Sequence, residues 1–413
     1  MPRICSLGVT LLIVPLASAA DWPQWLGPNR DSSTPEKVAA WKEPLKILWR
    51  QPVGEGNSAP IIADGRVFLH TKVKDKLEEQ LTAYDAKSGK RLWQTPYERV
   101  KLTTFYGNGP RATPVYANGK VFAYGITGVL TCFDAANGNV DWQVDIGKLL
   151  SPKPLIFGAS CSPLLVGKYV LVNVGGKGQS IVAFEKDSGK MRWGSLDDGA
   201  SYSSPILVSK QAVFLTQLGL VGLNPGDGKL QWRFPFKDLM LESSTTPVRA
   251  GDLLIASSIT LGSVGLRLEE EDGNLNPVQI WKEPKLTCYF STPVPVGKNH
   301  FYAVVGELTL NPFAKKKPKA NLCCLETQTG KTMWTKENVG TYHASLLRTG
   351  DNKLLMLEEG GNLVLLDPNP KAYRELARSK ICGNTWAHPA LADGRLFVRD
   401  GKELICVQLV AGE

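Results

Sequence analysis

The stretch AYDAKSGKRLW, Ala83–Trp93, decides the fold, because relatives of it recur along the chain. They read CFDAANGNVDW (Cys132–Trp142), AFEKDSGKMRW (Ala183–Trp193), GLNPGDGKLQW (Gly222–Trp232) and CLETQTGKTMW (Cys324–Trp334). A stretched copy ends at Trp281, and a decayed one, LLDPNPKAYRE, starts at Leu365. Each is a strand, a polar turn and a second strand that carries a Trp. Gly89, Gly138, Gly189, Gly228 and Gly330 hold one fixed turn position, where the backbone needs a positive φ that only Gly adopts cheaply. Asp85, Asp134, Glu185, Asn224 and Glu326, which precede them, suit the mouth of such a turn.

The spacing of the Trp residues names the repeat. Trp49, Trp93, Trp142, Trp193, Trp232, Trp281 and Trp334 follow at intervals of 44, 49, 51, 39, 49 and 53 residues, and a four-stranded propeller blade takes roughly 40 to 50. Helical repeats are excluded, since segments such as RVFLH, KVFAY and AVFLT alternate with period two and are cut by Gly turns.

A second repeated element precedes each Trp copy. It reads SAPIIADGRVF (from Ser58), ATPVYANGKVF (Ala112), CSPLLVGKYVL (Cys161), SSPILVSKQAVF (Ser203), TTPVRAGDLLI (Thr245), STPVPVGKNHFY (Ser291), HASLLRTGDNKLL (His343) and AHPALADGRLF (Ala387). Asp64-Gly65, Asn118-Gly119 and Asp393-Gly394 are type I′ hairpin signals, and Pro at the start of a strand sacrifices no ladder hydrogen bond. Eight openings against seven Trp copies balance only if one blade is built from both chain ends. The outer strand LKILWRQPV, Leu45–Val53, then joins three C-terminal strands ending in ELICVQLV. The expected fold is all-β: an eight-bladed propeller of four-stranded antiparallel blades over residues 45–410, closed by the N-terminal strand and preceded by an extended segment, 21–44. In the decayed seventh blade the Trp position falls near Glu375 or Leu376, so that blade should pack more loosely.

Met1 to about Ala20 combines Arg3, the apolar run LGVTLLIVPLA and the small-residue end ASAA. This reads as a secretory signal peptide cleaved after Ala19 or Ala20; the apolar run is too short for a membrane span, and Cys5 precedes it, badly placed for lipidation. The chain is therefore expected to be exported, periplasmic or extracellular, and monomeric. Its formal charge of +9 drops by one when Arg3 leaves. Export argues against nucleic acid as the partner of that charge and favours a solvated surface or attraction to anionic envelope polymers. Cys132, Cys324 and Cys406 take the repeat position that holds Ala83, Ala183 or Gly222 elsewhere, and so read as small core residues. Neighbouring Cys323 and Cys324 lie within a strand and point to opposite faces, and no Cys/His cluster has zinc spacing.

Loops entering the innermost strands surround one mouth of the central channel. The residue three places before each repeat Pro, or its equivalent Ser345, forms a ring: Asn57, Arg111, Ser160, Tyr202, Ser244, Phe290, Tyr342 and Trp386. The next two positions are mostly Ser, Thr or Ala, where eight strands converge; His343 and His388 break that rule. Both His are read either as hydrogen-bonding staples between blades or as ligand or metal groups. Arg111 is a candidate for holding an anion or for an inter-blade salt bridge. Asn57, Arg111, Tyr202, Tyr342, His343, Trp386 and His388 are the expected ligand- or partner-binding set, with no catalytic or metal-ligating residue assigned. The lysine-rich loops KVKDKLEE and AKKKPKA (Ala314–Ala320) should emerge on the same face and suit an acidic partner.

The whole mature chain resembles the PQQ-like repeat propellers, a family that includes the quinoprotein dehydrogenases and the outer-membrane assembly propeller BamB. Its opening, DWPQWLGPNRD at Asp21–Asp31, resembles that of exported bacterial PQQ-binding-like propellers. The resemblance implies a choice of two functions. One is a non-catalytic exported scaffold without cofactor that binds an envelope protein partner or a small ligand at the channel mouth, with peripheral association to a membrane complex. The other is a PQQ-dependent alcohol or sugar dehydrogenase. That enzyme would need a cofactor-bound Ca²⁺ held by Glu, Asn and Asp, an Asp base and a vicinal disulfide in a loop over the cofactor. Here the vicinal Cys pair sits mid-strand and no motif places the base or the calcium set, so the scaffold is the preferred reading.

Overall fold

A computed structural model describes residues 21–240, 243–271, 274–306, 318–409 and 411. The signal segment and most of the 314–320 lysine run lie outside them. The chain forms eight four-stranded antiparallel sheets arranged as propeller blades. In blade 1 the strands are Ile61–Ala63, Arg66–Lys72, Glu78–Asp85 and Arg91–Glu98, from the channel outward. Blade 8 joins Ala390–Ala392, Arg395–Arg399 and Glu403–Gln408 to the N-terminal strand Ile47–Pro52, with Trp49 opposite Cys406. The ring thus closes as the repeat count demands, the N-terminal strand covering the outer edge of Glu403–Gln408 that would otherwise be unpaired. The three Asx-Gly hairpins have the double positive φ of type I′ turns: 50° and 69° at Asp64-Gly65, 49° and 76° at Asn118-Gly119, 56° and 63° at Asp393-Gly394.

The repeat motif has a packing logic that runs from one blade to the next. The indole N–H of Trp49 donates to Ala86 O (3.2 Å), Trp93 to Ala135 O (3.1 Å), Trp142 to Lys186 O (3.0 Å), Trp281 to Thr327 O (2.9 Å) and Trp334 to Asn369 O (2.7 Å). Each acceptor lies in the third-to-fourth-strand connection of the following blade. The turn Gly lies beneath the ring: a Cβ on Gly189 would stand 2.6 Å from Trp142, and one on Gly138 2.5 Å from Trp93. Gly is therefore required twice, for its positive φ and for its missing side chain. Trp232 departs from the scheme because blade 5 replaces the tight turn with a long hairpin, Gly262–Glu271 and Asn274–Glu283. Its indole donates within its own blade, to Gln211 Oε1 at 2.6 Å.

Opposite each Trp sits a small residue: Ala83, Cys132, Ala183, Gly222, Gly265, Cys324 and Cys406. A β-bulge next to the pair recurs in every blade, and it corrects the expectation for blade 7. There Leu365 pairs with Ala377 and Leu366 with Glu375, so the Trp position is Ala377, and Leu376 is the bulged residue. Large and small have changed sides: a fully buried Leu365 stands where the other blades have Ala, Cys or Gly, and Ala377 where they have Trp. All seven described cysteines are buried free thiols, Cys323 and Cys324 among them.

Residues 21–44 enter the channel from the hairpin end. Trp22 bridges to Ile62 of blade 1, Pro23 O accepts from Tyr116 N of blade 2, and Ser32 O and Thr34 N exchange hydrogen bonds with Arg348 of blade 7. Between them the chain knots tightly, with φ of 59° at Leu26, 56° at Arg30 and 57° at Ser32. Such backbone persists only where its surroundings over-determine it. The Arg30 guanidinium supplies that constraint: Nε donates to Pro205 O (2.8 Å), Nη1 to Pro163 O (2.9 Å) and Nη2 to Ser162 O (3.1 Å), stapling blades 3 and 4. Burial lowers its pKa to about 10.

Candidate functional site

Within a blade, strands one and three run away from the mouth and strands two and four run toward it. All blade-to-blade loops therefore emerge on one face, and the channel opening there is a cup of about 140 Å³. Its floor is Trp25, whose indole N–H donates to Thr246 Oγ1 at 2.8 Å. Ser162, Ser204 and Ser244 line the lower wall, and Tyr106, Phe157, Tyr202, Tyr289, Phe290 and Trp386 make the upper wall. The aromatic rings touch one another: Tyr106 lies 5.5 Å from both Phe157 and Trp386, Phe157 5.8 Å from Tyr202, and Phe290 stacks on Trp386 at 5.1 Å. Glu359 Oε1 fixes the Trp386 indole by accepting its N–H at 2.8 Å.

Arg111 is the one charged side chain among the described lining residues. Its Nε donates to Phe157 O (2.9 Å) and its Nη2 to Thr104 Oγ1 (3.0 Å) and Gly107 O (3.1 Å), while Nη1 makes no hydrogen bond to a described residue. Arg111 thus spans blades 2 and 3 through carbonyls rather than through a salt bridge. Burial lowers its pKa, with Tyr202 and Glu55 opposing that shift.

Asn57, Arg111, Tyr202 and Trp386 line the cup, and Tyr342 sits behind it, edge-on to Trp386 at 5.9 Å. The two histidines lie in the walls. His343 Nδ1 is 2.9 Å from Ser291 Oγ of blade 6, and its Nε2 is 2.9 Å from Ser345 Oγ. His388 Nε2 is 3.0 Å from Leu346 O of blade 7 and 3.2 Å from Ser32 Oγ, and the ring stacks on Trp22 and meets Trp25 edge-on. Burial drives the His343 imidazole down to about 4. Burial also lowers His388, against the pull of the Pro389 and Leu346 carbonyls.

Comparison with known proteins adds the lineage. The family model described as outer membrane protein assembly factor BamB matches residues 32–105 and 78–335, well over half of the chain. The chain belongs to the BamB family. BamB-family sequences similar to it include that of Yersinia pestis, 23% identical over 314 residues (70% of this chain, 71% of the relative). That of Shewanella oneidensis is 23% identical over 345 residues (79% and 80%). BamB from Moraxella catarrhalis has the same fold at a TM-score of 0.62 and 13% identity, covering 89% of this chain and 99% of that one. The quinohemoprotein alcohol dehydrogenase of Comamonas testosteroni does so at 0.68 and 13%, covering 95% and 82%.

Because the wider PQQ-like fold also carries quinone cofactors, the donor set of this BamB-family cup matters. A Ca²⁺-bound quinone needs free carboxylates, and the described lining has none. Of the carboxylates near it, Glu359 and Asp400 border the adjoining hollow and have both oxygens occupied, while Glu55 acts on Arg111 from outside the lining and accepts from Asn108 N through Oε1. Glu359 accepts from Thr341 N, Tyr342 N and Trp386 Nε1; Asp400 accepts from Gly383 N, Lys402 N and Glu403 N. The residues present do not fit the cofactor.

Sequence reasoning missed Trp25, Tyr106, Phe157 and Tyr289. For the last three a signal existed, an aromatic residue shortly before a repeat opening; for Trp25 none did, because it stands outside the repeat.

Proposed function

We propose that this chain is a non-catalytic envelope scaffold that engages a protein partner of the outer-membrane assembly machinery through its channel-mouth face. The supporting observation is where apolar surface is left exposed. The loop from blade 1 to 2 presents Val100, Phe105 and Tyr106, that from blade 2 to 3 Leu149 and Ile156, and that from blade 4 to 5 Leu239 and Met240. Phe105 is 94% exposed and Leu239 76%. A cluster of this kind around a concave aromatic centre marks an interaction site. Lys101, Lys153 and Lys237 interleave with these side chains, which suits a partner face both apolar and acidic. The family membership supports that class of partner. A role as a dehydrogenase lacks support in the lining chemistry.

The test is co-purification from the source cell envelope with the outer-membrane assembly proteins. The wild-type chain should retain them, and the triple variant Phe105→Ser, Ile156→Ser, Leu239→Ser should lose them with its melting temperature unchanged. Equal retention by the variant would refute the surface. Micromolar binding of PQQ with Ca²⁺, together with turnover of an alcohol against a dye acceptor, would overturn the non-catalytic reading.

A further inference from the structure

We propose that the cup is a specific site for a single aromatic ring carrying a carboxylate, the ring held in the aromatic cage and the carboxylate on Arg111. The inference deepens the reading above, since it names what the centre of the recognition face accepts. Size comes first. A volume of about 140 Å³ is close to the roughly 150 Å³ apolar cavity that takes up one benzene. Shape follows, because Trp25 floors the cup and Tyr106, Phe157, Phe290 and Trp386 wall it with faces and edges suited to a planar guest.

Charge supplies the second half. A guanidinium withdrawn from water needs an anionic partner or enough acceptors, and Arg111 has carbonyl and hydroxyl acceptors on Nε and Nη2 only. No carboxylate stands among the described lining residues, and Glu55, which acts on Arg111 from outside the lining, is engaged by Asn108 N. An incoming anion meets a cation already oriented by its bond to Phe157 O, so little side-chain freedom is lost on binding. A cationic aromatic ligand would be repelled by that charge, and a neutral one would gain nothing from it. The same chemistry is offered by a free aryl-alkyl carboxylate and by the C-terminal aromatic residue of an extended chain threading in from the rim.

The experiment titrates the full chain with 3-phenylpropionate, N-acetyl-phenylalanine, N-acetyl-phenylalaninamide and a hexapeptide ending in phenylalanine, by calorimetry and by quenching of Trp fluorescence. The acids should bind, and the amide should bind about tenfold or more weakly, the size expected for losing a charge-assisted hydrogen bond. Arg111→Gln should erase the difference between acid and amide; Arg111→Lys, which keeps the cation, should retain part of it. Trp386→Ala should weaken acid and amide alike. A peptide much tighter than N-acetyl-phenylalanine identifies a chain terminus as the source, and equal affinities identify a free acid. Equal binding of acid and amide to the wild type, or binding of neither, overturns the inference. If the partner is still captured in that event, the scaffold reading stands and only the ligand class falls.

Discussion

Trp25 Nε1 donates to Thr246 Oγ1 at 2.8 Å, across 221 residues of chain, and this bond turns a through-channel into a cup. Trp25→Ala removes the floor, the partner of a Ser/Thr-belt hydroxyl and an edge contact on His388. The half-buried ring predicts a loss of about 2 kcal/mol, read by chemical denaturation. Acrylamide should also quench Trp386 more readily in the variant, because the cup then opens toward the hairpin face. A larger collapse is expected on deleting residues 21–53, since this takes away Arg30 with its three carbonyl bonds and the closing strand of blade 8. If that truncated chain melts within a degree or two of the intact one, the closure carries no stability.

Two glycines separate the two demands of the repeat turn. Gly65 has φ 69° and open space where a Cβ would go, whereas Gly189 has the same φ and the Trp142 ring 2.6 Å away. Gly65→Ala should cost about 1 to 2 kcal/mol, the left-handed backbone term alone. Gly189→Ala should approach the ~3 to 5 kcal/mol of Trp142→Ala, because either change undocks the ring. Equal costs at the two glycines would show that Trp docking adds nothing.

The inverted pair of blade 7 invites a double-mutant cycle. Ala377→Trp alone places a large ring against Leu365 and should destabilise by about 1 to 3 kcal/mol through overpacking. Leu365→Ala alone leaves a cavity. Combined, the two changes recreate the arrangement of Ala83 with Trp93, and the measured coupling should be favourable by about 1 kcal/mol or more. Additive costs would mean that the neighbouring turn, not pair size, sets the exchange.

Acid should loosen the ring through its buried histidines. His343, ordinarily near 6.5, is held down to about 4 by burial, so below pH 6.5 the unfolded chain takes up a proton that the folded chain refuses. Stability from this group is therefore lost as pH falls from about 6.5 to about 4 and then levels, by on the order of 3 kcal/mol. His70, lowered to about 3, and His388 act in the same sense; Glu79, raised by burial, acts in the opposite one. Denaturation midpoints measured from pH 7.5 to 4 should fall less steeply in His343→Gln, and an unchanged slope would remove His343 from the account.

Blade number, blade order and ring closure were legible in the chain because each rests on local chemistry repeated many times. A Gly at a positive φ, a Pro at a strand start and a Trp at fixed spacing report backbone requirements that hold wherever the unit stands. The mouth ring was legible for the same reason: Asn57, Arg111, Tyr202 and Trp386 share one offset from the repeat Pro. Even the small residues opposite the Trp positions followed from the repeat, Cys132 and Cys406 included.

Tertiary structure decided what depends on contacts between distant, non-repeating parts. No periodicity places Trp25 beneath Arg111, because the segment 21–44 belongs to no blade and its position follows from Arg30 finding three carbonyls at the inner edges of blades 3 and 4. The two histidines stand one and two places after the mouth positions in the repeat and lie in the walls, since Ser291, Ser345 and Leu346 O satisfy them there. In blade 7 the lengthened turn shifts the bulge, so Ala377 rather than its neighbours meets Leu365. Repetition carries information about the blade; the channel, where eight blades and one foreign segment compete for the same axis, is settled only by which polar groups find partners once all of them are present.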